Sequence, residues 1–143
     1  KAMSIEEVLR DVARKKYPSY GFVLEDWNGI DRAVDKVDLP AIVVFLVESG
    51  TLTSKNGRCK DAEDIVFAFI DKVPRDADGD DNTTTCTELK KVAKSYIADI
   101  QKTGYFEPIN ENIEYTNLYE ILASNCTGLL FRLRLQEASG ECV

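Results

Sequence analysis

The sequence contains no histidine in 143 residues. That absence removes the Ser-His-Asp triad, the Cys-His pair, mixed His-Cys zinc sites and the commonest general base of enzymes. Cysteine occurs as Cys59, Cys86, Cys126 and Cys142, with no Cys-x-x-Cys anywhere. Zinc ligands usually come from sequence-close pairs, so this spacing argues against a zinc site. Four scattered cysteines also do not make the disulfide framework of a small secreted domain, and free thiols in a cytoplasmic protein are expected. The glycines form neither Gly-x-Gly-x-x-Gly nor a Walker pattern, so no phosphate-cradling loop is present.

Long hydrophobic runs are missing too. The longest purely apolar stretch, Ala41 to Val47, has seven residues, whereas a membrane-spanning helix needs about 20. Lys1-Ala2-Met3 leads straight into a helix start, so no signal peptide is expected, and Met3 reads as the native start. Positive charge is in deficit: 18 Lys plus Arg against 25 Asp plus Glu leave a net charge of -7. That balance argues against a surface that follows nucleic-acid phosphates, and neither nucleic acid nor membrane is expected as a partner.

What remains is ordinary globular composition, 44% hydrophobic and 30% charged, in a chain of single-domain size, read as one domain over 1–143. Ser4 and Glu7 form a capping box ahead of Ile5, Val8, Leu9 and Val12, which share one helical face. Tyr17-Pro18 ends that helix. Gly21 to Glu25 reads as a short strand, Trp27-Asn28-Gly29 as a turn, and residues 30–38 as one or two helical turns closed by Pro40. Ala41 to Val47 and Ile65 to Ile70 are apolar on both faces, as strands covered on two sides are. Between them, Thr51 to Arg58 carries Asn56-Gly57, the strongest short hairpin signal, with polar flanks that predict a projecting hairpin.

A long helix is predicted to start between Asn82 and Thr85, with Thr85 and Glu88 as a second capping box. Its stripe is Cys86, Leu89, Ala93, Tyr96, Ile97 and Ile100, and Gly104 ends it. Residues 113–122 and 129–136 alternate as half-buried antiparallel strands. The tail, Ala138 to Val143, reads as loose. The order predicts an α+β fold: a mostly antiparallel sheet with a short N-terminal helix and one long helix on one face, and a projecting β-hairpin.

Several groups bear on chemistry. Asp76, Asp78, Asp80 and Asp81 resemble part of a calcium loop, but aligning Gly79 to the invariant glycine puts Pro74 and Thr85 where carboxylates are required. The loop reads instead as an acidic end facing the positive N-terminus of the next helix. Asp26, Glu48 and Asp71 lie near strand ends, where a carboxylate pair could be imagined. Arg132 and Arg134 share a strand face with Arg58 and Lys60 on the hairpin; cross-strand pairing with Glu114 and Glu120 accounts for the first two. Tyr115 and Tyr119 read as core or interface. Trp27 is either a buried anchor of its turn or an interface anchor. No catalytic, cofactor-binding or metal-ligating residue is assigned, and the chain is read as non-enzymatic.

The segments Leu24-Glu25-Asp26-Trp27-Asn28, Asp38-Leu39-Pro40-Ala41, Asn56-Gly57-Arg58 and Arg132-Leu133-Arg134-Leu135-Gln136-Glu137, with the element order, resemble the tail terminator and minor tail-component proteins of long-tailed phages. The chain is also similar to small proteins carried in prophages of gut anaerobes. The resemblance implies a non-enzymatic assembly protein without a cofactor. It would form a ring, often hexameric in that family, that caps the tail tube and joins tail to head. Its partners would be copies of itself and other tail or head–tail connector proteins, first in the host cytoplasm and then in the virion tail. Trp27, Thr51, Thr53, Lys55, Asn56, Gly57 and Arg58 are the expected interface. The alternative is a small acidic α+β interaction module, an adaptor or an inhibitor of a basic partner.

Overall fold

The computed structural model describes residues 3–138 and the backbone of 141–142. Helix α1 (Ile5–Lys16) opens on the expected capping box, Glu7 N–H donating to Ser4 Oγ and Ser4 N–H to Glu7 Oε1, both at 3.1 Å. Strand β1 (Gly21–Glu25), the five-residue helix α2 (Ile30–Val34) and strand β2 (Ala41–Phe45) follow. Then come β3 (Ser49–Lys55), β4 (Arg58–Lys72), helix α3 (Gly79–Lys102), β5 (Glu114–Ile121), β6 (Cys126–Gln136) and β7 (Glu141–Cys142).

All the strands join one sheet, in the order β1-β2-β4-β6-β5, with β3 and β7 also on β4. Every pairing is antiparallel except β1 with β2, which is parallel. The α+β, mostly antiparallel fold expected from the residue pattern is present. β4 runs 15 residues without a break. The sequence reading divides it into a hairpin and a separate strand because Asp61, Glu63 and Asp64 interrupt the apolar pattern. Those charges are tolerated inside a strand because that half of β4 leaves the core.

β2 and β3 lie end to end along one side of β4. Val44 pairs with Phe67 and Ser49 with Asp64, so five steps on one side match three on the other. This bulge, at residues 45–48, marks where the hairpin departs from the body.

The sheet is covered unequally. Ile65, Phe67 and Phe69 of β4, Ile42 and Val44 of β2, and Leu129, Phe131, Leu133 and Leu135 of β6 pack beneath α1 and α3. Tyr96 is the largest fully buried side chain of this face, and its hydroxyl donates to Leu9 O at 2.7 Å. On the other face, Val23, Val43, Phe45, Ala68, Ile70 and Leu130 pack with Ile30 and Val34 of α2. This small helix covers part of the face opposite the two larger ones.

Four expectations are corrected. Helix α3 starts at Gly79, not between Asn82 and Thr85. Asp78, not Thr85, is its N-cap: Asp81 N–H donates to Asp78 Oδ1 at 2.9 Å, and Asp78 N–H to Asp81 Oδ2 at 3.1 Å. Thr85 and Thr87 instead donate back to Asp81 O and Thr83 O within the helix. The tail is not wholly loose, since Glu141–Cys142 pairs with Arg58–Cys59 at the far end of β4; Ser139, Gly140 and Val143 lie outside the described residues. Arg134 pairs with Asp64, its Nε 2.9 Å from Oδ1, while Glu120 accepts from Asn82 Nδ2 at 3.3 Å. Of the two expected cross-strand pairs, register places only Arg132 opposite Glu114.

β4 and β6 run their ladder from Ala62↔Gln136 to Lys72↔Cys126. Gly128 sits within it, and a Cβ there would overlap the Phe69 carbonyl. Gly128→Ala must therefore push the two central strands apart, at a cost of about 1–3 kcal/mol. Urea denaturation of the variant beside the wild type measures this, and equal stability would refute the close approach.

Candidate functional site

The hairpin of β3 and the first half of β4 forms an arm. Its turn, Asn56 with φ 55 and Gly57 with φ 73, is the primed type whose twist matches the flanking strands. All seven residues of β3 are exposed, and among the described residues β3 pairs only with β4. Thr51, Thr53 and Lys55 therefore stand on an open strand, Asn56 and Gly57 form the tip, and Arg58 begins β4. Leu52, the one apolar side chain of β3, is 69% exposed. It was legible in the sequence as a lone leucine in a polar strand, yet was not singled out.

Trp27 lies elsewhere. It occupies the turn after β1, 57% exposed, with its ring stacked on Phe45 at 4.4 Å. Leu46, also exposed, follows Phe45. Trp27 thus marks the root of the arm. At about 3.3 Å per residue, the tip is roughly 30 Å beyond Phe45, so Trp27 and Lys55 to Arg58 do not form one patch.

Two clefts flank the root. The first, about 430 Å³, is lined by Glu6, Val47, Glu48, Ser49, Gly50, Leu52, Asp61 and Glu63. Glu6 Oε2 accepts from Val47 N–H at 3.4 Å, and Glu137 Oε1 accepts from Asp61 N–H at 2.9 Å. Burial, a hydrogen bond with Asp61, and the charges of Asp61, Glu6 and Glu137 push Glu63 up to about 7. Lys60, three residues earlier on β4 and outside the cleft lining, is engaged by Glu107 at 2.8 Å. The carboxylates converge because α1, β4 and the end of β6 meet there, a proximity invisible in a linear sequence.

The second cleft is a groove of about 640 Å³ along the outer side of β1. Val23, Ala33 and Val37 supply its apolar lining, with Glu25 and Asp26 near one end and Arg32 and Lys36 on the α2 wall. Gly21 approaches Val37 and Asp38 closely, which puts the Lys36 end beside the start of β1. Sequence reasoning missed this groove, because it needed the return of α2 over the edge of the sheet.

The chemical inventory is thin. Burial raises the thiols of Cys86 and Cys126 above their ordinary values, which opposes thiolate chemistry. Asp26 and Glu48 lie toward the arm, whereas Asp71 lies past the opposite end of β2, so these three do not converge. Asp78 and Asp81 are engaged in capping α3. Among the described residues, no group of three or more His, Cys, Asp or Glu is placed to hold a metal ion. Among the same residues, no helix is long and apolar enough to cross a membrane. Tyr115 and Tyr119 are exposed, and Lys90 Nζ lies 4.4 Å over the Tyr115 ring. No family model matches the chain, and no curated protein matches it in sequence.

Glu63 generates a pH prediction. Its folded value lies above the unfolded one near 4.5, so the native state holds the extra proton between about 4.5 and 7. Stability from this group is therefore highest below 4.5 and falls as pH rises toward 7. Glu63→Gln should flatten that slope and stabilise the chain at pH 8 by on the order of 1 kcal/mol, after allowing for solvent screening. Thermal melts of both proteins from pH 4 to 8 measure it; parallel curves would sink the assignment.

Proposed function

We propose that this chain is a structural assembly protein that acts through its exposed strand edges. The more specific reading, favoured by the resemblance of its segments to tail terminators, is a phage or prophage tail protein that forms a ring for head–tail joining. The observation that carries the assembly reading is β3: seven exposed residues, paired on one side, on an arm that leaves the core. An uncovered strand is a template for pairing, and proteins usually blunt it with proline, bulges or several charges. β3 has no proline and a single charge, Lys55, at its end. Exposed Trp27, Leu46 and Leu52 add apolar area beside and along the arm.

The test is mass in solution by light scattering over a concentration series, with negative-stain imaging of large species. Closed rings are the expected outcome. Trp27 is the only tryptophan and its ring lies beside the arm's root, so its emission should shift to the blue as assembly proceeds. A monomer at every concentration that captures a basic protein in a salt-sensitive manner would replace this reading with the acidic adaptor or inhibitor.

A further inference from the structure

Besides the two-residue β7, three strands, β1, β3 and β5, have a side along which no strand is paired for most of their length among the described residues. β5 is built against pairing: it carries Glu114 and Glu120, its register shifts between Leu118 and Ile121, and Glu120 and Leu122 have positive φ. β1 and β3 have neither proline nor such a shift within them. We propose that the outer edge of β3 in one copy seats parallel on the outer edge of β1 in a second copy, with Leu52 entering the groove between β1 and α2. This rests on the assembly reading and names its interface.

The backbone groups are in place. Gly21 N–H donates to Pro40 O, and Glu25 O accepts from Leu46 N–H. Gly21, Val23 and Glu25 therefore face β2, leaving the N–H and C=O of Phe22 and Leu24 pointing outward. In a two-residue hairpin, the residues flanking the turn exchange both hydrogen bonds. Lys55, Thr53 and Thr51 accordingly face β4, and Gly50, Leu52 and Ser54 point outward. In a parallel ladder, a residue bonds the neighbours of the one opposite. Leu52 can then bridge Phe22 and Leu24 while standing opposite Val23.

The faces agree. Leu52 pairs with Asp61, on the α1 side of its own sheet. Joining the two outer edges in parallel turns the second copy over, so Leu52 lands on that copy's α2 side, where Val23, Ala33 and Val37 line the groove.

Charge selects the direction. With Leu52 opposite Val23, Lys55 falls opposite Asp26 and beside Glu25, while Glu48 falls toward the Lys36 end. An antiparallel strand would instead set Lys55 against Lys36 and Glu48 against the acidic pair. Each copy gives β3 and receives on β1, a contact between unlike patches of the kind that closes into rings.

The experiment uses the full chain and follows assembly by light scattering with amide hydrogen exchange. Leu52→Pro removes an outward N–H without touching the β4 ladder; Lys55→Glu and Asp26→Lys each place like charges together. Each should raise the concentration for half-assembly by at least about tenfold, and the Lys55→Glu/Asp26→Lys pair should return to within about threefold of the wild type. In wild-type assemblies, the amides of Phe22, Leu24, Gly50, Leu52 and Ser54 should exchange more slowly than in the monomer. Rings that form with unchanged exchange at these amides overturn the interface and leave the assembly reading standing. A closed two-fold dimer also overturns it, and a wild-type monomer at every concentration overturns both.

Discussion

The backbone ladder of β4 is the constraint on which the rest of the molecule depends. It is hydrogen-bonded to β2 and β3 along one side and to β6 and β7 along the other. Its alternating side chains decide what each face becomes. Ile65, Phe67 and Phe69 face α1 and α3; Ala68 and Ile70 face the α2 side. Phe67 stacks on Phe131 at 5.2 Å and meets Tyr96 edge-on at 5.6 Å, and Phe69 meets Tyr96 at 5.5 Å. Such ring pairs add about 0.5–1.5 kcal/mol each beyond their buried area. Tyr96 then ties α3 to α1 through the Leu9 carbonyl. A disturbance of β4 reaches both helices at once.

The same strand carries the arm out of the core, and there the physics changes. β3 buries nothing, so the arm is held by its ladder, its primed turn and polar links at the root. Ser49 donates to Asp64 at 3.1 Å and Arg134 to the same carboxylate at 2.9 Å, which holds Asp64 below the usual carboxylate range. Opposing these links is the repulsion among Glu6, Asp61, Glu63 and Glu137. The arm is thus held by hydrogen bonds and ion pairs, with β7, Glu137 and Glu107 adding links to its β4 strand, whereas the body of the sheet is held by a core.

Much of this architecture was legible in the residues. The α1 capping box, the Asn56-Gly57 turn, the stripe of α3 and the doubly apolar β2 are local signals, and each element formed where its signal stood. The start of α3 was misread because its threonines looked like caps, while two aspartates seven residues earlier made the reciprocal bonds. The continuity of β4 was hidden because apolar alternation marks a strand only where one face is buried. The expected hairpin at Thr51 to Arg58 is present on the arm, and Trp27 lies apart from it at the root. The groove beside β1 and the carboxylates around Glu63 arise from elements distant in sequence, and no local pattern encodes them.

The charge balance and the open edges bear on each other. A net charge of -7 repels copies of the chain from one another at long range, and screening limits that repulsion to about 8–10 Å at ordinary ionic strength. Inside that distance, local pairing decides. Arg32 and Lys36 on the α2 wall and Lys55 at the end of β3 make no ion pair among the described residues, so cations at the two open edges are left for a neighbour. An acidic body disfavours random contacts, and these three cations are local exceptions to its charge, placed where a neighbour's strand could be matched in charge and register. β5, closed off by its bulge and its glutamates, shows that the same sequence does blunt an edge where pairing is not wanted. The openness of β1 and β3 is therefore a local property of those two strands, set by their own residues and not by the sheet as a whole.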